Sequence, residues 1–343
     1  MNGKMKMAEY LFVLGRDKGL SLFELECFFG GDAIKKVTGR LAVVETDKKF
    51  GIDDFGGVTK FGRRISGLDE VMLEENKITF SVRGDKKLFL RLKELCKEQR
   101  VKASFREFSY DPGNVDYTFV EFDDGLFLIR DVSKPKEYKR RDEVRPRFDA
   151  KKVTSIRLAK MLINFSKAGR EILDPFCGNG TILQEGLLKR LQVIGMDKQI
   201  GDARKNLAWL GKLYALGKYR LIQGDAVRLR EYVKKVECVV TEPPLGPYLK
   251  RRPSSSKAKR ILRSLAGLYD SVLGEFSGMV EKRVVILIPR IRARRKELGM
   301  DFLKIAEEHG FQVARSKFVK LPLLYFLEGA KVKREIWVLE RLK

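Results

Sequence analysis

The sequence predicts an α/β protein: a doubly wound, mostly parallel sheet in its second half, preceded by a smaller region of mixed helices and strands. Three observations carry this reading. At 343 residues the chain exceeds one ordinary domain, and its 44% hydrophobic content suffices for two cores. From about residue 155 onward, short β-type runs alternate with helical patterns, which places helices on both faces of a parallel sheet. Between the halves lies a charged stretch, Ser133 to Asp142, that contains Pro135 and has no apolar period.

The elements follow in order. A strand is predicted over 9–15. Ser21 opens a helix with Leu22, Leu25, Phe28 and Phe29 at helical spacing, stopped by Gly30-Gly31. Further strands are read at 41–45 and 78–82, the latter leading into a helix over 85–99. Strands at 117–122 and 126–131 are joined by Asp123-Asp124-Gly125, a good hairpin turn. The boundary is expected in or just after the polar stretch, giving 1–132 as the first region, 133–153 as linker and 154–343 as the second. There the pattern reads helix 155–165, strand 171–174, helix 181–190, strand 192–196, helix 201–216, strands 219–223 and 236–241, helix 257–276, strand 283–288, helix 301–309, strand 311–319 and a last strand at 334–340.

Composition narrows the chemistry. No apolar run approaches the ~20 residues that span a bilayer, and the segment Met1 to Met7 has no signal-like apolar core. A cytoplasmic protein with no membrane partner is expected. Cys27, Cys96, Cys177 and Cys238 form no CxxC pair, so reduced thiols are expected rather than a zinc or dithiol motif. His309 is the single histidine, which argues against a metal site or a catalytic imidazole. Catalysis is therefore expected to run on carboxylates, backbone groups and a cofactor. The formal net charge is +25, and it is lopsided: residues 1–150 carry 30 Lys/Arg against 27 Asp/Glu, residues 151–343 carry 41 against 19. A surface that meets a polyanion accounts for this better than the habit of a heat-adapted organism, which would raise acidic residues too.

Four motifs carry chemistry. The strand ending at Asp174 runs into Asp174-Pro175-Phe176-Cys177-Gly178-Asn179-Gly180-Thr181 and then a helix. Gly178 and Gly180 permit a tight turn and close approach of a ligand, and ligands in doubly wound sheets bind at strand carboxyl ends. The loop lacks the GK[ST] of a phosphate cradle and begins with an acid, which suits a cationic group such as the methionine ammonium of S-adenosyl-L-methionine. Asp197, followed by Lys198, ends the next strand; a carboxylate there accepts ribose hydroxyls, whether of a nicotinamide or a methionine cofactor, or simply caps a helix. Asp225-Ala226 after the third strand suits an adenine amino group, or again an N-cap. Glu242-Pro243-Pro244-Leu245-Gly246-Pro247-Tyr248 follows the fourth strand. Two prolines stiffen this loop, so that it can aim a carboxylate and a backbone carbonyl at one point. An exocyclic amine needs such acceptors, because its lone pair is delocalised into the ring until the N–H bonds are drawn out of plane. A plain strand–helix turn and a Pro-rich surface turn are the simpler alternatives.

These residues resemble the THUMP-containing tRNA guanosine-N2 methyltransferases of the type acting at tRNA position ten. The resemblance rests on Arg141-Asp142, Arg145-Pro146 and Asp149-Ala150, then Leu158 to Asn164, Asp174 to Thr181, Asp225 and Glu242-Pro243-Pro244, and in the first half on Tyr10 to Arg16, Leu20 to Leu25 and Gly56 to Lys60. It implies a class I, Rossmann-like methyltransferase fold that transfers a methyl group from S-adenosyl-L-methionine to guanosine N2. It also implies an N-terminal ferredoxin-like and THUMP-type region that grips tRNA, and it leaves open a small activating subunit as a further partner. The implied cofactor residues are Asp174, Phe176, Cys177, Gly178, Gly180, Thr181, Asp197, Lys198, Asp225, Ala226 and Glu242; the implied catalytic residues are Glu242, Pro243, Pro244 and Tyr248. The family usually carries Asp or Asn before the two prolines and an aromatic after them. Here those positions hold Glu242 and Leu245, which leaves Tyr248 to stack on a base.

Basic segments complete the picture. Lys250, Arg251, Arg252, Lys257, Lys259 and Arg260 follow the proline loop directly and are candidates for phosphate contact. Lys139, Arg140 and Arg141 in the connector are further candidates, and Arg290 to Lys296 form another cluster; solvated loops are the alternative for each. Three other functions compete with the leading one: a non-catalytic RNA-binding protein that keeps the fold, an amino-methyltransferase for DNA bases, and, last, a nicotinamide oxidoreductase, for which no later motif speaks.

Overall fold

The computed structural model describes residues 7–148, 154–326 and 328–342. Asp149 and Ala150, the end of the expected linker and the first six residues lie outside them. The chain divides into two compact units, Met1–Glu137 and Tyr138–Lys343.

The first unit is built on one eight-stranded mixed sheet. Its elements are β1 (Ala8–Leu14), α1 (Lys18–Phe29), β2 (Ile34–Thr38), β3 (Leu41–Thr46), β4 (Val58–Ile65), β5 (Lys77–Arg83), α2 (Lys86–Glu98), β6 (Lys102–Glu107), β7 (Tyr117–Phe122) and β8 (Gly125–Val132), in the order β2-β3-β1-β4-β8-β7-β5-β6. β1 is central because it is apolar on both sides. Phe12 and Leu14 pack with Leu25 and Phe29 of α1, while Leu11 and Val13 join Val43, Val120 and Phe127. The β7–β8 hairpin pairs Phe122 with Gly125, so the turn is Asp123-Asp124 alone, with Asp123 at φ 58°. β2, β4 and β6 had no clear signal; β6 is exposed throughout.

The connector holds a helix, α3 (Pro135–Val144), where no apolar period is legible, and α3 buries none of its residues. Its start is explained by Pro135 at the first helical position, where the missing N–H costs nothing. Lys139 and Glu143, one turn apart at 3.6 Å, add a little.

The second unit contains α4 (Ile156–Ser166), β9 (Glu171–Asp174), α5 (Thr181–Leu188), β10 (Gln192–Asp197), α6 (Gly201–Leu210), β11 (Tyr219–Gln223), β12 (Val236–Thr241), α7 (Ser255–Phe276), β13 (Val280–Arg292), β14 (Glu297–Leu298), α8 (Phe302–Glu308), β15 (Phe311–Val313), β16 (Leu323–Tyr325) and β17 (Val332–Arg341). The sheet runs β11-β10-β9-β12-β13-β17-β15, with β14 added to β13 and β16 to β17. Its first five strands are parallel; β17 runs antiparallel to them, between β13 and β15, so that β15 points the same way as the first five. Val284, Ile286 and Ile288 of β13 face a core shared with Tyr269 and Leu273 of α7 and Phe302 of α8. Burying such apolar side chains contributes about 1.5–3 kcal/mol each.

Several expected elements come out differently, α1 among them, which starts at Lys18 rather than at Ser21. Helix 201–216 stops at Leu210: residues 211–214 continue only as turns, and Leu213 and Tyr214 are exposed, with no apolar face left to bury. Strand 311–319 ends at Val313, because its pairing with β17 stops there apart from the Ala314 N–H bonded to the Val338 carbonyl at 2.8 Å. β13 is longer than 283–288, since its far end pairs with both β17 and β14. No helix among the described residues is long and apolar enough to cross a membrane.

Candidate active site

Four adjacent parallel strands end at one edge of the second unit. β9 ends at Asp174, β10 at Asp197, β11 at Gln223 just before Asp225, and β12 at Thr241 just before Glu242. This gathers the carboxylates that the motifs single out.

Asp174 is only 2% exposed. Its Oδ1 accepts hydrogen bonds from the Thr241 hydroxyl at 2.7 Å and from the Phe176 backbone N–H at 3.1 Å. Burial pushes its carboxyl up to about 7 against those two donors, and the nearby charges of Asp197 and Glu242 push the same way. The three acids therefore sense one another.

The loop after Asp174 is shaped by two glycines in the left-handed region, Gly178 at φ 51° and Gly180 at φ 84°. A Cβ added at Gly178 would meet no protein atom within 4 Å, so its backbone borders open space. Gly178 N–H donates to Asp197 Oδ2 at 2.9 Å, and Gln199 N–H donates to Oδ1 at 2.9 Å. Cys177 N–H closes on the Met196 carbonyl at 3.0 Å, its thiol raised well above the ordinary range by burial. Phe176 packs against the main core. Thr181 is buried with its hydroxyl already engaged: it accepts from the buried Arg145 at 2.8 Å and donates to Asn179 at 3.2 Å. Asn206 of α6, fully buried, donates to the Asn179 carbonyl at 2.8 Å and so fixes the loop from behind.

Asp225 takes its N-cap reading and adds an ion pair. It caps a short 3-10 turn that begins at the buried Ala226, accepting from Val227 N–H, and it pairs with Lys198 at 2.8 Å. Lys198 holds the Asp225 carboxyl below its usual range. The ammonium expected at a cofactor is thus engaged by the neighbouring acid.

Glu242 is held on both oxygens. Oε1 accepts from Arg334 Nε at 2.5 Å, and Oε2 accepts from the Thr154 hydroxyl. Tyr269, buried in α7, donates to the Pro244 carbonyl at 2.8 Å and anchors the proline loop from below; burial raises its hydroxyl strongly, with a further push from Glu242. The Pro243 carbonyl accepts no hydrogen bond among the described residues. Tyr248 is 76% exposed.

The basic residues divide. Lys250, Arg251, Arg252, Lys257, Lys259 and Arg260 are all exposed, and none forms an ion pair among the described residues. Arg294 N–H bonds to the Pro253 carbonyl at 3.0 Å, and Ala258, Leu262, Ile291 and Ala293 share a small core, so the 290–296 cluster lies beside them. Within that cluster Arg290 pairs with buried Glu335 and Arg292 with Glu297, leaving Arg294, Arg295 and Lys296 outward. Arg141 departs from the expected RNA contact. It turns inward onto Glu185, itself 1% exposed, which also draws Lys160 at 3.6 Å. A carboxylate so buried requires this compensation. Lys139 pairs with Glu143, and Arg140 stays exposed.

Thr241, Thr154, Arg334, Tyr269 and Asn206 had no motif to announce them. Only Thr241 carried a faint signal, as the last residue before the proline loop.

The tRNA (guanine(10)-N2)-dimethyltransferase of Methanothermobacter thermautotrophicus is 35% identical over 131 residues, 37% of either chain. The enzyme of the same name from Pyrococcus abyssi is 30% identical over 183 residues, 52% of this chain and 49% of that one. The matched regions thus span about half or less of these curated relatives. Among solved structures, TrmN from Thermus thermophilus shares the fold at 16% identity, with a TM-score of 0.52, over 97% of this chain and 100% of that one. The family model described as UPF0020, RMKL-like, methyltransferase domain matches residues 148–325, about half of the chain. The chain therefore belongs to the RMKL-like methyltransferase domain family and has the class I methyltransferase fold.

Proposed function

We propose that this protein transfers a methyl group from S-adenosyl-L-methionine to the exocyclic N2 of a guanosine in tRNA, at position ten. The observation that carries it is the gathering of Asp174, Asp197 and Glu242 at one sheet edge, beside a glycine turn that leaves room for a ligand and a proline loop whose Pro243 carbonyl accepts no hydrogen bond among the described residues. Such an edge favours a cation, and the sulfonium and ammonium of the methyl donor fit it. The curated relatives, named for guanine-10 N2 dimethylation, support the base and position.

Each residue then has a task. Asp174 and the Gly178 turn hold the amino-acid end of the cofactor, and Asp197 the ribose. S-adenosyl-L-methionine supplies an electrophilic methyl group. Glu242 and the Pro243 carbonyl accept the two N–H bonds of the guanine amine, which localises its lone pair. The proton released from N2 passes to a Glu242 carboxylate oxygen or to water. A guanine paired in a stem must leave the stack to reach this edge. The ridge formed by 250–260 and 294–296 binds the phosphates around it, with the first unit as a second grip on tRNA.

Incubation with unmodified tRNA and isotope-labelled cofactor, followed by mass-spectrometric mapping, tests this directly. Label on N2 of guanosine 10 is expected. Label on duplex DNA instead, or cofactor binding without transfer to any tRNA, would replace it with the DNA-base or the non-catalytic reading.

A further inference from the structure

We propose that Arg334 is a positioning residue that, together with Thr154, holds the Glu242 carboxylate in the orientation in which it receives the target amine. The proposal rests on the functional reading above and extends it to β17, two strands along the sheet from β12.

Glu242 sits at the start of a loop, on a side chain with three rotatable bonds. Nothing in the proline loop itself fixes where its carboxylate points; the prolines stiffen only the backbone. Two donors from distant parts of the chain do so. Arg334, on the antiparallel strand β17, reaches Oε1 through Nε at 2.5 Å, and Thr154, just ahead of α4, reaches Oε2. The Glu242 and Arg334 side chains are 13% and 23% exposed. The pair is thus largely shielded from water, where a charge-assisted hydrogen bond is stronger than on an open surface.

Arg334 is itself braced. Pro289 of β13 lies opposite it in the β13–β17 ladder, and the next residue, Glu335, is buried and tied to Arg290 and to Trp337 Nε1. Its strand therefore has little freedom to drift. A carboxylate offers about four lone-pair positions. Arg334 and Thr154 take one on each oxygen, which leaves each oxygen able to accept one more N–H. The clamp thus orients the carboxylate without exhausting it.

A misplacement of the acceptor by about 1 Å can cost about 100-fold in rate. Arg334→Gln is therefore expected to lower kcat about 10- to 100-fold, with the KM for tRNA and the affinity for S-adenosyl-L-methionine nearly unchanged. Arg334→Lys, which can still reach Oε1, is expected to recover part of the loss, and Thr154→Val to show a smaller loss of the same kind.

The deciding experiment is a double-mutant cycle with Glu242→Gln, read as kcat on tRNA, with circular dichroism as the folding control. If Arg334 acts through Glu242, adding Arg334→Gln to Glu242→Gln lowers kcat no further. Equal losses in the two backgrounds, or unchanged kcat in Arg334→Gln, overturn the proposal while the functional reading stands. In parallel, the Nε–H signal of Arg334 in the free protein, followed by nitrogen-15 NMR, should shift on Glu242→Gln; no shift also overturns the clamp. A wild-type protein that methylates no tRNA removes the functional reading, and this proposal with it.

Discussion

Asp174 should make cofactor binding depend on pH near neutrality. Burial holds its carboxyl at about 7 in the free protein. A bound ammonium would bring an opposite charge alongside, which lowers a carboxyl by about 1–3 units. The ligand and the proton then compete. Between pH 8 and pH 6 the free carboxyl passes from about nine-tenths ionised to about one-tenth, so affinity should fall about tenfold, or about 1.4 kcal/mol. At pH 7 about half a proton should be released per ligand bound. Isothermal titration calorimetry with S-adenosyl-L-methionine, in buffers of different ionisation enthalpy, measures both quantities. Asp174→Asn keeps the shape and the Thr241 contact but cannot ionise. It should bind weakly at every pH and show no slope. A flat wild-type affinity from pH 6 to 8, or the same slope in Asp174→Asn, would refute the assignment of the ammonium to Asp174.

The other predictions use the same geometry. Because the raised Asp174 carboxyl penalises the folded state as pH climbs from 3.8 through about 7, Asp174→Asn should melt higher than wild type at pH 8, by up to about 4 kcal/mol. It should lose that advantage at pH 4; a lower melting temperature at pH 8 would contradict this. Glu242→Ala should retain cofactor binding and lose turnover; a normal transfer rate would remove Glu242 from the chemistry. Arg251→Ala and Arg252→Ala should each reduce the slope of log affinity for tRNA against log salt by about one, with cofactor binding untouched; an unchanged slope would place those side chains off the RNA. Glu185→Ala should destabilise the protein by about 3–5 kcal/mol in denaturant titration, since it strands Arg141 and Lys160 without their buried partner; a loss within experimental error would mean that the cluster is not a structural tie.

What was legible in the sequence, and what was not, follows from the range of the interactions. Strands 171–174, 219–223 and 236–241 coincide with β9, β11 and β12, because each is a short β-type run punctuated by a turn. The acids that follow such runs fall at the sheet edge as a matter of topology, so Asp174, Asp197, Asp225 and Glu242 could be named from local pattern alone. Their partners could not. Thr154 and Arg334 meet Glu242 across 88 and 92 residues, and only the order β12-β13-β17 brings the last of these near. Charge shows the same limit from the other side. A run such as Lys139-Arg140-Arg141 reads as three equivalent cations, yet Arg141 is consumed by Glu185 while Arg140 faces water. Arg283 and Arg290 are likewise taken up, by Glu340 and Glu335. The positive excess of the second half is therefore not spread evenly over its surface. Lys250, Arg251, Arg252, Lys257, Lys259 and Arg260, exposed and without an ion pair among the described residues, directly follow the proline loop, where a polyanion would have to lie for its base to reach Glu242.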